Sequence, residues 1–189
     1  MTKARDLASG GFGLVLIKPS TVVGGTDNGK GTVSFSAVTS VSLNGVFNST
    51  YDNYRIVVNN SAFSIDGYRY IKLKSGTSEL STGYTYAVGG IATNNTAYPL
   101  YSGSQAFWNL GDTDAGTNSV YGVVIDLINP FNAVYTNMLM TGHSSSGAQL
   151  FFANAGGGTN LNAASYDGIS ITTSSGTMSG TVSVYGYNK

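Results

Sequence analysis

Apolar residues recur at every second position along most of the chain. Val33, Phe35 and Ala37 alternate with Thr32, Ser34 and Ser36, and Val41 and Leu43 resume the pattern after a short break. Arg69, Ile71 and Leu73 oppose Tyr68, Tyr70, Lys72 and Lys74, as in a strand with one face buried and the other in water. The same period predicts strands over 54–59, 84–88, 104–110, 119–128, 135–142, 148–154, 168–173 and 180–187. Asn94-Asn95, Gly111-Asp112 and Gly156-Gly157-Gly158 read as turns between them. About ten or eleven short strands at this spacing predict an all-β sandwich or barrel. The one helical prospect is a single turn over 44–51, with Asn44 as its cap and Val46 and Phe47 tucked inward.

The first thirty residues break the pattern. Thr2 to Leu7 holds Lys3, Arg5 and Asp6, then come Ser9-Gly10-Gly11-Phe12-Gly13, the apolar run Leu14 to Ile17, and a glycine-rich stretch to Gly31. We read residues 1–30 as an attachment arm and linker, and residues 31–189 as the β-sandwich domain. Lys3, Arg5, Asp6, Leu7, Phe12, Leu14 and Leu16 are the candidate gripping residues of the arm. The alternative is that this segment adds a strand to its own sheet.

Composition narrows the classes. Lys plus Arg and Asp plus Glu are 9 each, so the 189-residue chain has no basic surplus for nucleic-acid phosphates. A long helical bundle would need acidic helix formers, and Glu79 is the single glutamate. Hydrophobic residues at 41% and aromatics at 12% argue against disorder. Cysteine is absent, so stability must come from the core or from association with copies. No stretch reaches the roughly 18 apolar residues of a membrane span, and no secretory leader is evident.

Candidate chemistry is sparse. His143, the only histidine, sits in Gly142-His143-Ser144-Ser145-Ser146-Gly147 and reads as a turn residue. Ser-His-Asp catalysis requires a base oriented by a carboxylate, which adjacency to serines does not supply. With one His and no Cys, a transition-metal site of ordinary type is not expected. Gly24-x-x-x-x-Gly29-Lys30 lacks the following Ser/Thr and helix of a phosphate loop. The loop Asp112 to Asn118 offers oxygen ligands, but Val123 stands where an EF-hand places glutamate. Asp126 interrupts the apolar run Val123 to Ile128, pointing either inward or outward, and no second carboxylate pairs with it in sequence. We therefore expect no enzyme and no cofactor.

The aromatics carry more. Tyr68 and Tyr70 share one strand face, Tyr84 and Tyr86 another, and Trp108 follows. Such residues suit a half-exposed strand, a contact between subunits, or a platform for a sugar ring.

Three stretches resemble structural proteins of tailed bacteriophages, particularly those of cyanobacterial and marine hosts. Thr2-Lys3-Ala4-Arg5-Asp6-Leu7-Ala8 resembles the start of many of their tail-fibre and appendage proteins. Residues 41–57, Val41-Ser42-Leu43-Asn44-Gly45-Val46-Phe47 onward, are similar to a segment recurring in virion proteins. Gly180 to Tyr187 is similar to their final strand. The resemblance implies a virion component assembled in the host cytoplasm, with a jelly-roll-like antiparallel β-sandwich and a homo-oligomeric, commonly trimeric, state. It further implies other virion proteins as partners, with a host surface glycan as an alternative ligand. Within that class the expected role is a tail fibre or appendage. A head decoration protein and a receptor-binding module are the alternatives.

Overall fold

The computed structural model describes residues 13–93, 97–113, 115, 121–145 and 151–188. Strands are β1 (Leu14–Ile17), β2 (Thr21–Val23), β3 (Thr26–Asp27), β4 (Thr32–Val38), β5 (Ser40–Asn44), β6 (Asn53–Phe63), β7 (Gly67–Ser75) and β8 (Ser78–Glu79). They continue as β9 (Tyr84–Ala92), β10 (Ala97–Gln105), β11 (Trp108–Thr113), β12 (Tyr121–Ile128), β13 (Thr136–Ser145), β14 (Phe151–Asn160), β15 (Gly168–Thr173) and β16 (Met178–Tyr187). The fold is all-β, and no helix occurs among the described residues. The expected helical turn over 44–51 is not formed. Gly45 at φ 67° turns the chain after β5, and the amides of Val46 and Phe47 both donate to the carbonyl of Asp167.

Ten strands form one antiparallel sheet and six the other, with the alternating apolar residues facing each other between them. Eight strands pair in a nested order, first with last: β4 with β16, β5 with β15, β6 with β12, and β7 with β11. Two hairpins are inserted into this frame, β9–β10 before β11 and β13–β14 before β15. They pair with each other through β9 and β14 and extend the larger sheet beyond β12. The interior holds Val33, Leu43, Ile56, Val58, Ile71, Leu73, Ile125, Leu127, Ile169 and Val184, all within 1% of complete burial. Each such side chain contributes up to roughly 1.5–3 kcal/mol, enough collectively to hold a fold without disulfides.

Residues 14–27, assigned from sequence to an arm, are strands of the body. β1 runs beside the second half of β16, from Leu14 opposite Tyr187 to Ile17 opposite Val184. β4 occupies the first half of that same edge. Gly31, at φ 107°, lies at the seam, where a Cβ would come 2.6 Å from the Ile17 carbonyl. The segment then crosses to the other sheet as β2, against β5, and returns as β3 against β4. It thereby closes one side of the sandwich, and Ile17 enters the core. Lys3, Arg5, Asp6, Leu7 and Phe12 lie outside the described residues.

Two truncations test this boundary. A chain starting at Gly13 is expected to keep its melting temperature within a few degrees. A chain starting at Gly31 uncovers the β16 edge and empties the Ile17 position, a loss of about 3 kcal/mol or more by the usual cost of deleting a buried aliphatic. Equal melting temperatures would refute this placement of residues 14–27.

Candidate functional site

Among the described residues, the outer face of the ten-stranded sheet carries the exposed side chains Leu139, Ile91 and Tyr101. Cross-strand register aligns one row across it: Leu16, Tyr185, Arg55, Asp126, Leu139, Gly157, Ala87 and Tyr101. A second row runs Val57, Val124, Thr141, Ala155, Gly89, Pro99. Alternation alone produces these rows, because every residue in them is offset by an even number from its strand neighbours. One half of the face is aromatic and charged; the other is small and apolar.

Arg55 and Asp126 dominate the first half. Arg55 donates from Nε to Asp126 Oδ1 at 2.8 Å and from Nη2 to Oδ2 at 2.7 Å, a two-pronged pair. Tyr187 donates its hydroxyl to Asp126 Oδ1 at 2.6 Å, and the Arg55 guanidinium lies 5.5 Å from the Tyr187 ring centroid. The hydrogen bonds from Arg55 hold the Asp126 carboxyl below its ordinary pKa against the opposing effect of burial, and Tyr187 helps. Tyr187 is pushed up to about 12, first by burial and then by the carboxylate it serves. Both Asp126 oxygens are engaged and the group resists protonation, so it makes a poor general base. Its depressed pKa stabilises the fold above the ordinary carboxylate value, and that contribution disappears as pH falls through the depressed one. Since both side chains are about one-third exposed (36% and 32%), the gain is on the order of 1 kcal/mol or less. Asp126→Asn is therefore expected to flatten the acid limb of a plot of melting temperature against pH. A variant retaining the wild-type slope would show that the pair contributes nothing.

The second half is a floor of Ala87, Gly89, Ala97, Pro99, Ala153 and Ala155, from which Ile91 (59% exposed), Leu139 (57%) and Tyr101 (80%) project. A groove of about 450 Å³ lies over Gly89, Ala97, Pro99, Ala153 and Ala155 beside Ile91. Another of about 570 Å³ runs between Leu139 and Ala87 over Gly157 and Gly158. Thr85, Ser102, Asn137 and Thr159 complete the lining of the second groove.

No protein-family model matches the chain, and no curated protein matches it in sequence.

Of the residues singled out from sequence, Leu16 and Asp126 lie in the first row, and the aromatic ones fall elsewhere. Trp108 and Tyr84, expected at a subunit or glycan contact, are fully buried and offer no surface. The Trp108 Nε1 donates to the Thr85 carbonyl at 3.1 Å, and its ring meets Tyr84 edge-on at 5.0 Å. The Tyr84 hydroxyl accepts from the Leu73 amide at 2.8 Å, and burial raises its pKa. Tyr86 is half-buried on the same inward side. Tyr70 stacks on Phe107 at 3.8 Å on the other sheet, and Tyr68 there is 38% exposed. The five do not form one platform. Leu14 and Leu16 lie on β1, outermost in the large sheet, with Leu14 41% exposed.

His143 is not in a turn. It lies within β13, exposed, between Gly122 and Ala153 of the flanking strands. The loop 112–118 lies largely outside the described residues; Asp112 caps the Thr113 amide, and Asp66 accepts from Ala115 at 2.5 Å. Among the described residues no three His, Asp or Glu side chains gather as metal ligands. The small-residue floor escaped the sequence reading, although Ala153-x-Ala155-x-Gly157 and Ala87-x-Gly89-x-Ile91 display it at alternate positions.

Proposed function

We propose that this protein is a non-enzymatic structural subunit of a tailed-phage virion, a tail fibre or similar appendage, that assembles with its own copies and is attached through residues preceding Gly13. The broad outer face carries this reading, because its small apolar half and its internally paired Arg55 and Asp126 suit a contact with another surface. The carboxylates support it too. Asp27 accepts from the Gly31 amide, Asp167 from the Gly76 amide, and Glu79 from Lys72, all at 2.9 Å, so these groups shape loops and strands. The nested pairing of eight strands supports a jelly-roll-like reading of the sandwich, an architecture that viral capsid domains use.

Mass spectrometry of gradient-purified particles from the source tests the proposal. Peptides of this chain in stoichiometric amount are expected; their absence would sink it. Copy number decides the position, tens or fewer for a tail appendage and hundreds for a head decoration protein. A chain lacking residues 1–12 is expected to fold and yet stay out of particles.

A further inference from the structure

We infer that the outer face of the ten-stranded sheet is where a second copy of this chain docks, face against face, with Leu139 at its centre. This rests on the reading of the protein as a self-assembling subunit and names the surface that reading leaves open. The relief of the face is self-complementary. Leu139 stands up beside Gly157, its direct cross-strand neighbour, which has no side chain and opens onto the groove over Ala87. A copy rotated by two-fold symmetry about that point sets each Leu139 into the hollow beside the other's.

Charge permits the contact. The formal ions in the two rows are Arg55 and Asp126, already bound to each other, and His143, exposed at the end of the same face of β13, is the further titratable group that a copy would meet. Area permits it as well. Seven strands from β16 to β10 span roughly 30 Å at the ~4.8 Å strand spacing, and four outward residues along β13 span roughly 20 Å. The product, about 600 Å², matches the ~600 Å² per partner at the lower end of stable complexes. Association through the edge of β10 is disfavoured instead, because Pro99 there removes a backbone donor that an added strand would need.

Sedimentation equilibrium and native mass spectrometry on the full chain, from about 1 to 100 µM, give the test. The wild type is expected as a two-copy particle. Leu139→Asp, an exposed position whose change leaves the core intact, is expected to raise the dissociation constant by about 100-fold or more, since it places two carboxylates in a dry contact. Val23→Asp, equally exposed on the six-stranded sheet, is expected to change nothing. A monomeric wild type, a three-copy particle, or a dimer indifferent to Leu139→Asp overturns the inference. A three-copy particle or an indifferent dimer leaves self-assembly standing, a monomer removes self-assembly as well, and none of the three touches the virion assignment, which depends on particle composition; conversely, absence from particles would not alter the dimer measurement.

Discussion

Replacing Gly158 with valine is expected to leave no cooperatively folded protein at room temperature. Gly158 lies on the inward side of β14, and a Cβ there would collide with the Thr85 carbonyl and come 2.8 Å from the Trp108 ring. Neither obstacle is a flexible tip. The first is backbone in the neighbouring strand, and the second is the largest fully buried side chain, pinned by its own bond to that same carbonyl. Overpacking a core costs about 1–3 kcal/mol when side chains can yield. Here the strands themselves must part, and a loss of about 4 kcal/mol or more would consume much of a domain's usual stability. Trp108→Ala attacks the same junction from the other side and should cost about 3–5 kcal/mol. Gly89→Ala serves as control, since nothing lies within 4 Å of its Cβ position, and it should stay within about 0.5 kcal/mol of wild type. Denaturant unfolding followed by near-ultraviolet circular dichroism reads all three. A Gly158→Val protein melting like Gly89→Ala would show that Trp108 does not approach the sheet this closely.

That junction also explains what the sequence conveyed and what it hid. Period-two alternation is a local signal, and it located strands wherever both faces kept their character. The segment 168–173, a strand by its pattern, is β15, with Ile169 and Ile171 inward as that pattern implies. Gly156-Gly157-Gly158, a turn by composition, is instead part of β14. Glycine marks both a sharp turn and a place where something must come close, and only the position of Trp108, fifty residues away in sequence, separates the two meanings. His143 was misread for a related reason. Its serine-rich surroundings signal a turn, yet β13 continues because Gly122 opposite leaves room for the imidazole, whose Cε1 would lie 2.7 Å from a Cβ at that site. The third miss is one of parity. Alternation groups Tyr68 with Tyr70 and Tyr84 with Tyr86, but which group faces the core follows from long-range pairing. Tyr68 faces outward, as its alternation with Ile71 and Leu73 implies, whereas Tyr84 turns inward. The outer face was hidden because alanine and glycine carry almost no hydropathy contrast, so its strands looked like weak versions of buried ones.

Arg69 is the least expected occupant of the interior, and the second large effect concerns it. Alternation sends it inward with Ile71 and Leu73, and it is completely buried. Its Nη1 donates to Asn60 Oδ1 at 2.6 Å, and the guanidinium lies 3.0 Å from the Tyr121 ring centroid and 5.8 Å from that of Phe63. Nε and Nη2 have no hydrogen-bond partner. Asn60 belongs to the larger sheet and Arg69 to the smaller, so their bond ties the two sheets across the core. Removing only the acceptor strands a buried charge. Asn60→Leu is therefore expected to destabilise by about 3–5 kcal/mol. Arg69→Met removes the charge itself and should be neutral or stabilising by up to about 4 kcal/mol, and the double variant should recover most of the Asn60→Leu loss.

The effect carries a pH signature. Burial lowers the Arg69 pKa to about 10, well below its unfolded value, so the folded state disfavours the charged form. The resulting cost is full below pH 10 and shrinks as pH rises from there toward the unfolded value. Tyrosine ionisation acts in the same range, with raised folded pKa values that make stability fall as pH rises, so the wild-type curve alone would mislead. The difference between Arg69→Met and wild type cancels the remote tyrosines and reports Arg69 together with Tyr121, whose pKa burial raises and the guanidinium lowers. That difference should be constant from pH 7 to 9 and begin to close above about 10. A difference that never closes would mean that Arg69 is not held against its charge. An unfolded Arg69→Met would mean that the guanidinium's packing against Tyr121 outweighs the cost of burying it, and that the link between the sheets is a stabilising contact in its own right.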